Sequence, residues 1–390
     1  MTSTLQPLLD QRGPDTSPTV LPGAAVGAPV TLTPYLDLDV RSAVTRYLRL
    51  AAALPGTGVH YAVKANPAPA LLGALAANGC RFDVASPAEV VAVLEAGAAP
   101  ADLVYSNPVK RRSDIAFAAQ LGVRLFVVDS SQETEKVASA APGSSVLCRI
   151  VTSGRGSDWP LSRKYGCATH EAVRILGEAA AAGLDPAGVS FHVGSQQRDP
   201  DAWDAPVAAA ARIFEALRAD GVHPWLLDLG GGFPAHHEGG APPLACYGAA
   251  IELQLRRHFG QHRPRTIVEP GRAVVADAGT LVSTVLAVVH RGPTRWAFLD
   301  VGVFTGLVET LDEAIRYRLR TSVDGGRTGP CVLAGPTCDS ADVLYETTPV
   351  DLPLALAEGD TVRLLSTGAY TSAYSTVGFN GFAPLPTRLV

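Results

Sequence analysis

Long uniform runs are absent from this 390-residue sequence, and their absence removes several function classes. No stretch of about 18 apolar residues passes uninterrupted, so no membrane span is expected. No long like-charged block occurs and the formal net charge is -5, so nucleic acid is not an expected partner. Six cysteines (Cys80, Cys148, Cys167, Cys246, Cys331, Cys338) lie scattered, with no Cys-x-x-Cys pair and no zinc-type spacing. They read as reduced thiols of a cytoplasmic protein, and no metal site is expected. The stretch to about Pro29 lacks the basic start and continuous apolar segment of a secretion signal. Rich in Pro, Gly, Thr and Ala, it reads as a disordered tail leading into a strand.

What is present is a 47% hydrophobic fraction in a chain long enough for two domains. From Pro34 onward, apolar strand-like runs alternate with Ala/Leu-rich helical patterns. The expected strands are His60 to Lys64, Arg81 to Ala85, Leu103 to Tyr105, Arg124 to Val128, Ser145 to Ile150, Val189 to Val193, Trp225 to Leu229 and Thr266 to Val268. The helices between them stop at Gly79, Gly97, Gly122, Gly183, Gly221 and Gly260, each suited to a left-handed cap. About eight such units predict a (β/α)8 barrel. After Arg272 short β-type runs take over, with Val308 to Leu319 the one helical pattern. The expected division is a tail and first β-domain strand in 1–32, a barrel over 33–272, and a mostly β domain over 273–390.

The unusual residues fall in phase with those strands. Lys64, Asp83, Asp129, Arg149, His192 to Ser195, Gly230 to Gly232 and Glu269 to Arg272 all sit at or just past carboxyl ends, which converge on one face of a barrel. Lys64 ends the apolar run Val59 to Val63, and Asn66-Pro67 prevents its continuation. An amine in such surroundings is expected to have a lowered pKa and to attack a carbonyl; a solvated strand tip is the plainer alternative. Gly230, Gly231 and Gly232 suit either a tight turn or a backbone approach to an anion. With Ser195 and Arg272 they describe a phosphate cup. Glu269, between Val268 and Pro270, needs a cation: a protonated pyridine nitrogen, or Arg272 or Arg149. His192 fits a core position or a flat group stacked on such a ring.

These motifs resemble a known family. Tyr61 to Asn66 (YAVKAN), Phe82 to Ser86 (FDVAS), His192 to Ser195 (HVGS), Gly230 to Pro234 (GGGFP), Glu269 to Arg272 (EPGR), Gly335 to Asp339 (GPTCD) and Phe379 to Phe382 (FNGF) are similar to the alanine-racemase-fold, pyridoxal-phosphate decarboxylases of group IV. Ornithine and bacterial lysine/ornithine decarboxylases are nearest in pattern. The resemblance runs from about Pro34 to Leu385. It implies pyridoxal 5'-phosphate held by Lys64, with Glu269 at the pyridine nitrogen and His192 stacked on the ring. Arg149 and Asp83 would lie near the ring hydroxyl and Lys64. Ser195, Gly230, Gly231, Gly232, Pro270, Gly271, Arg272 and Tyr370 would surround the phosphate end. Cys338 would donate a proton after carbon dioxide leaves, and Asp339 would take a distal amine. In the family the last two reach the partner's site, so a homodimer is implied.

One stretch departs from the pattern. Where eukaryotic ornithine enzymes carry Asp-Gly-Val-Tyr, this chain has Asp300-Val301-Gly302-Val303-Phe304, and Phe304 and Phe379 are expected on the substrate side. The acid that grips the distal amine falls within Glu309 to Glu313, Glu313 by alignment with Asp312 as a surface alternative. The reading is decarboxylation of a basic L-amino acid, ornithine first and lysine second. Diaminopimelate decarboxylase would need an arginine for a distal carboxylate, and a racemase of this fold would need a second base where Cys338 stands. A partner-binding homologue without activity is set against by the intact Lys64, Glu269 and Cys338. A specialised pathway using an unusual diamino acid stays open.

Overall fold

The computed structural model describes residues 32–160 and 163–390, so the tail expected before Pro29 lies outside the described residues. Strand β1 (Tyr35–Leu38) precedes eight parallel barrel strands: β2 (Thr57–Ala62), β3 (Arg81–Val84), β4 (Leu103–Tyr105), β5 (Leu125–Val128), β6 (Ser145–Arg149), β8 (Asp185–Ser190), β10 (Leu226–Asp228) and β11 (Arg265–Val268). They close in the order β10-β11-β2-β3-β4-β5-β6-β8, while β7 (Ser157–Trp159) and β9 (Ser195–Gln197) pair above the rim. All eight expected strands are found, within a few residues of their expected ends. The glycines expected to end the helices all take positive φ, from +52° at Gly260 to +99° at Gly97. Only a residue without Cβ adopts that region freely, so helix ends are written locally in this sequence.

Side chains alternate across a strand, and this parity builds the site. One face of the barrel strands packs on the helices. The other fills the barrel, where Val104, Val127, Leu147, Ala187, Leu226 and Ile267 form an apolar layer. Arg149, Asp228 and Glu269 come two residues after Leu147, Leu226 and Ile267, at the carboxyl mouth. His60 lies lower on β2, 5% exposed, with Nδ1 lacking a hydrogen-bond partner among the described residues. Burial and the nearby Arg81 guanidinium lower its pKa from 6.5 to about 4. The folded state therefore holds His60 neutral while the unfolded chain protonates below pH 6.5. Stability from this group is complete above pH 6.5 and lost as the pH falls toward 4, by about 3 kcal/mol. In denaturant titrations, His60→Leu is expected to lose that share of the slope between pH 6.5 and 4; an unchanged slope would place the acid sensitivity elsewhere.

The rest of the chain forms a sheet in the order β14-β17-β12-β13-β15-β16: β12 (Gly279–Arg291), β13 (Thr294–Leu299), β14 (Arg318–Thr321), β15 (Thr328–Ala334), β16 (Val350–Pro353) and β17 (Thr361–Leu365). β1 pairs with β12, and β18 (Thr387–Leu389) with β1. Among the described residues the first strand of this sheet is Tyr35–Leu38, within the range assigned to the barrel, while the stretch 1–31 lies outside the described residues. The reason is burial: Leu36 packs with Leu281, Val285, Tyr317 and Val362 in the sheet's own core. The helix expected over Val308 to Leu319 does not form. A 3-10 segment, Val308–Glu313, breaks where Asp312 and Glu313 turn to φ +52° and +55°, and Arg318–Thr321 pairs with β17 instead.

Candidate active site

Lys64 leaves β2 on one 3-10 turn, Val63–Ala65. Asn66 closes that turn: its N–H donates to the Val63 carbonyl, its side-chain oxygen accepts from Ala68 N–H at 3.1 Å, and its amide donates to Gly368 O at 2.9 Å. Tyr370 N–H donates to Ala65 O at 2.8 Å. The β-sheet segment 366–371 is thereby stitched to the barrel mouth beside Lys64, and Tyr370 takes φ +56°. A cavity opens at this seam, lined by Lys64, His192, Ser195, Gly232, Glu269, Gly271, Arg272 and Tyr370 among others. Eight residues expected in one site therefore share one cavity.

The electrostatics differ from the expectation at Lys64. Its Nζ lies 2.5 Å from Asp83 Oδ2, with 46% of the side chain accessible, and Ser106 Oγ donates to the other Asp83 oxygen. Burial disfavours the ammonium, but Asp83 and then Glu269 outweigh it and raise the amine's pKa above the ordinary lysine value. The expected lowering is thus reversed, because a fully buried carboxylate stands at contact distance. The amine must hand a proton away before it can act as a nucleophile, and Asp83 is the adjacent acceptor.

Glu269 is half-buried, and its buried Oε1 has no hydrogen-bond partner among the described residues. Burial raises its pKa, reinforced by the neighbouring carboxylates of Asp228 and Asp83. Asp228, which the sequence reading did not single out, is pushed up to about 7 by burial while its Oδ1 accepts from Gly230 N–H at 2.8 Å. Two carboxyls this closely coupled cannot both ionise cheaply unless a cation arrives. His192 supplies a flat neutral neighbour: burial and Arg149 lower its pKa to about 3, and Nδ1 accepts from Gly194 N–H at 3.0 Å. Arg149 itself lies over the Tyr165 ring, 5.6 Å from its centre.

At the other end, Arg272 donates through Nη2 to Ser195 Oγ at 3.0 Å and lies 5.1 Å from the Tyr370 ring centre. Gly230 to Gly232 serve packing as well as access. A Cβ on Gly230 would strike the Phe191 carbonyl, one on Gly231 the Glu269 carbonyl, and one on Gly232 the Gly194 carbonyl. Gly232 and Gly271 line the cavity, whereas Gly230, Gly231 and Pro270 are not among its lining residues.

Cys338, Asp339, Phe304, Phe379 and Glu313 are not among the residues lining this cavity. Cys338 N–H donates to Asn380 Oδ1 at 3.1 Å, and Phe379 meets Phe304 edge-on at 5.2 Å, so these β-sheet loops form a cluster of their own. Glu313 receives Arg316 Nη1 at 2.9 Å and the Thr347 and Thr348 amides at 2.7 and 3.1 Å. Glu309 is buried on Arg272, and Asp312 is exposed. His237, also unforeseen, contacts Arg272 Nη1 at 3.4 Å. Asp228 could have been found from strand parity. His237 and Glu309 carry no local signal.

Residues 40–276 match the family model described as "Pyridoxal-dependent decarboxylase, pyridoxal binding domain". A lysine/ornithine decarboxylase of Selenomonas ruminantium is 36% identical over 358 residues, 91% of this chain and 89% of that protein. A solved structure of the Selenomonas lysine decarboxylase, with pyridoxal phosphate and cadaverine, superposes with a TM-score of 0.84 at 35% identity, covering 93% of this chain and 91% of that one. The lysine/ornithine decarboxylase of Vibrio vulnificus with cadaverine gives 0.83 at 33% identity, covering 92% and 94%. The residues present fit such a cofactor at both ends. Glu269 offers an unpartnered buried oxygen to a ring N–H, and Ser195 with Arg272 offers donors to a phosphate. The chain belongs to the pyridoxal-dependent decarboxylase family, and pyridoxal phosphate is its cofactor.

Proposed function

We propose that this chain decarboxylates a basic L-amino acid, L-ornithine first and L-lysine second, as a homodimer whose sites are shared between subunits. The observation that carries the reading is the single cavity in which Lys64, Glu269 and the Ser195–Arg272 pair converge. When bound, the cofactor supplies the electron sink that accepts the pair left by the departing carboxylate. Lys64 would be the amine that holds the cofactor, and Asp83, 2.5 Å from its Nζ, would take and return its proton. Glu269 would hold the ring nitrogen, neutral His192 would stand beside the ring, and Arg272, Ser195 and Tyr370 would hold the phosphate. Cys338 of the partner subunit would then deliver a proton to the carbon that lost carbon dioxide. The relatives named for lysine and ornithine support the substrate class.

Of the two acids expected to face the distal ammonium, Asp339 is the stronger candidate. It is exposed beside Cys338, whereas Glu313 is already engaged by Arg316 and two backbone amides. Asp339→Asn is expected to raise KM for ornithine or lysine by roughly 10- to 150-fold, the loss of one charged hydrogen bond worth about 1.5 to 3 kcal/mol, with a smaller rise for Glu313→Gln. Purified protein supplied with pyridoxal phosphate and a panel of ornithine, lysine, arginine and diaminopimelate, followed by carbon dioxide and amine release, tests the reading. Release only from an acid without a distal cation would sink it.

A further inference from the structure

Arg272 does more than face the cavity. Its Nη2 donates to Glu309 Oε1 at 2.5 Å, and both side chains are buried, 3% and 8% accessible. His237 Nε2 lies 3.4 Å from Nη1, and its ring meets the Tyr317 ring edge-on at 5.2 Å. Around this pair three buried polar atoms have no partner among the described residues: Glu309 Oε2, Tyr317 Oη and His237 Nδ1. A buried carboxylate with one oxygen on the guanidinium and the other unsatisfied is an incomplete arrangement. The Tyr317 hydroxyl is the neighbouring donor that this second oxygen could recruit. Glu309 comes from the segment after Phe304, outside the cavity lining, and touches neither the ring end nor Lys64.

We propose that Glu309 is a stand-in anion for the cofactor phosphate: it holds the Arg272 guanidinium in place while the cup is empty and weakens the cup's grip on phosphate once filled. Glu309 is thus a positioning residue acting through Arg272. An arginine buried without an anion would be costly, and Glu309 removes that cost. The same negative charge, one guanidinium away from the phosphate, repels it. At the effective dielectric of a protein site, that repulsion is expected to cost about tenfold or more in anion affinity. Cofactor retention in this chain is accordingly set by a residue of the β-sheet part, not by the barrel alone.

The inference rests on the cofactor reading for its biological meaning, but its test does not. Apoprotein of the wild type, Glu309→Gln and Glu309→Ala is titrated calorimetrically with inorganic phosphate, pyridoxal phosphate and pyridoxal. Glutamine keeps an acceptor for Nη2 without the charge, so phosphate and pyridoxal phosphate should bind about tenfold more tightly, with pyridoxal unchanged. Alanine loses the positioning too, and is expected to bind phosphate no better than the wild type. If Glu309→Gln fails to fold, Glu309→Asn keeps an uncharged amide acceptor and should also raise phosphate affinity above that of Glu309→Ala. Phosphate affinity within twofold of the wild type in the variant that keeps an uncharged acceptor overturns the proposal, as does an equal gain for pyridoxal. A phosphate gain in a protein that ignores pyridoxal phosphate would instead support the Glu309 role and overturn the cofactor assignment.

Discussion

Lys64→Ala is expected to reduce decarboxylation by about a thousandfold or more and to abolish covalent capture of the cofactor. Wild-type protein mixed with pyridoxal phosphate should develop visible absorbance, and borohydride should fix the cofactor on the peptide carrying Lys64. The argument is positional. Lys64 is the amine lining the cavity, held by a turn that Asn66 and Gly368 brace from two sides. Lys110, which unlike Lys64 is fully buried, is tied to Asn107 O, Val127 O and Glu133, and points its charge into the protein. It therefore cannot substitute. The mutation should leave the fold intact, since the turn is held by backbone and Asn66 contacts. Asp83 would lose its cation, however, and phosphate and ring contacts alone would hold the cofactor. A Lys64→Ala protein that still traps cofactor under borohydride would show that another amine does the work.

Cys338→Ala should lose most of the correct product, because the carbon left by carbon dioxide lacks its placed proton donor. Mixing it with Lys64→Ala is expected to restore activity. If the dimer is two-fold symmetric and each Cys338 completes the other subunit's Lys64 site, random exchange makes half of the dimers hybrids. Each hybrid holds one intact site and one doubly defective site, so activity should recover to about a quarter of the wild type. Within one chain, Cys338 stands with Asn380 and away from the cavity lining, which is the arrangement such sharing requires. No recovery despite demonstrated subunit exchange would confine Cys338 to its own protomer or remove it from the chemistry.

Local rules made much of this protein legible. Glycines with positive φ end helices because no Cβ intervenes, and eight apolar runs separated by helix-length segments leave few architectures other than a barrel. Period-two alternation places Asp83, Arg149 and Glu269 on the inner face once the strand ends are known. The same parity marks Asp228, although its Leu-Leu-Asp strand also reads as a plain strand end before glycines. Where local pattern and long-range pairing competed, pairing won: Val308 to Leu319 has a helical pattern, yet Arg318–Thr321 completes the sheet against β17.

Sequence by itself determined the barrel, its order of strands along the chain, and the set of chemical groups delivered to its mouth. These depend on period, turn chemistry and residue type, all of which are local. Tertiary structure alone decided the direction of the Lys64 pKa, raised by Asp83 at 2.5 Å. It also decided that Glu309 answers Arg272 across 37 residues, that Glu313 is engaged by Arg316 and the 347–348 backbone, and that Tyr35–Leu38 joins a sheet whose other strands begin after residue 278. Electrostatic coupling and core packing depend on distances through space, falling steeply with separation, and a one-dimensional pattern carries no such distances.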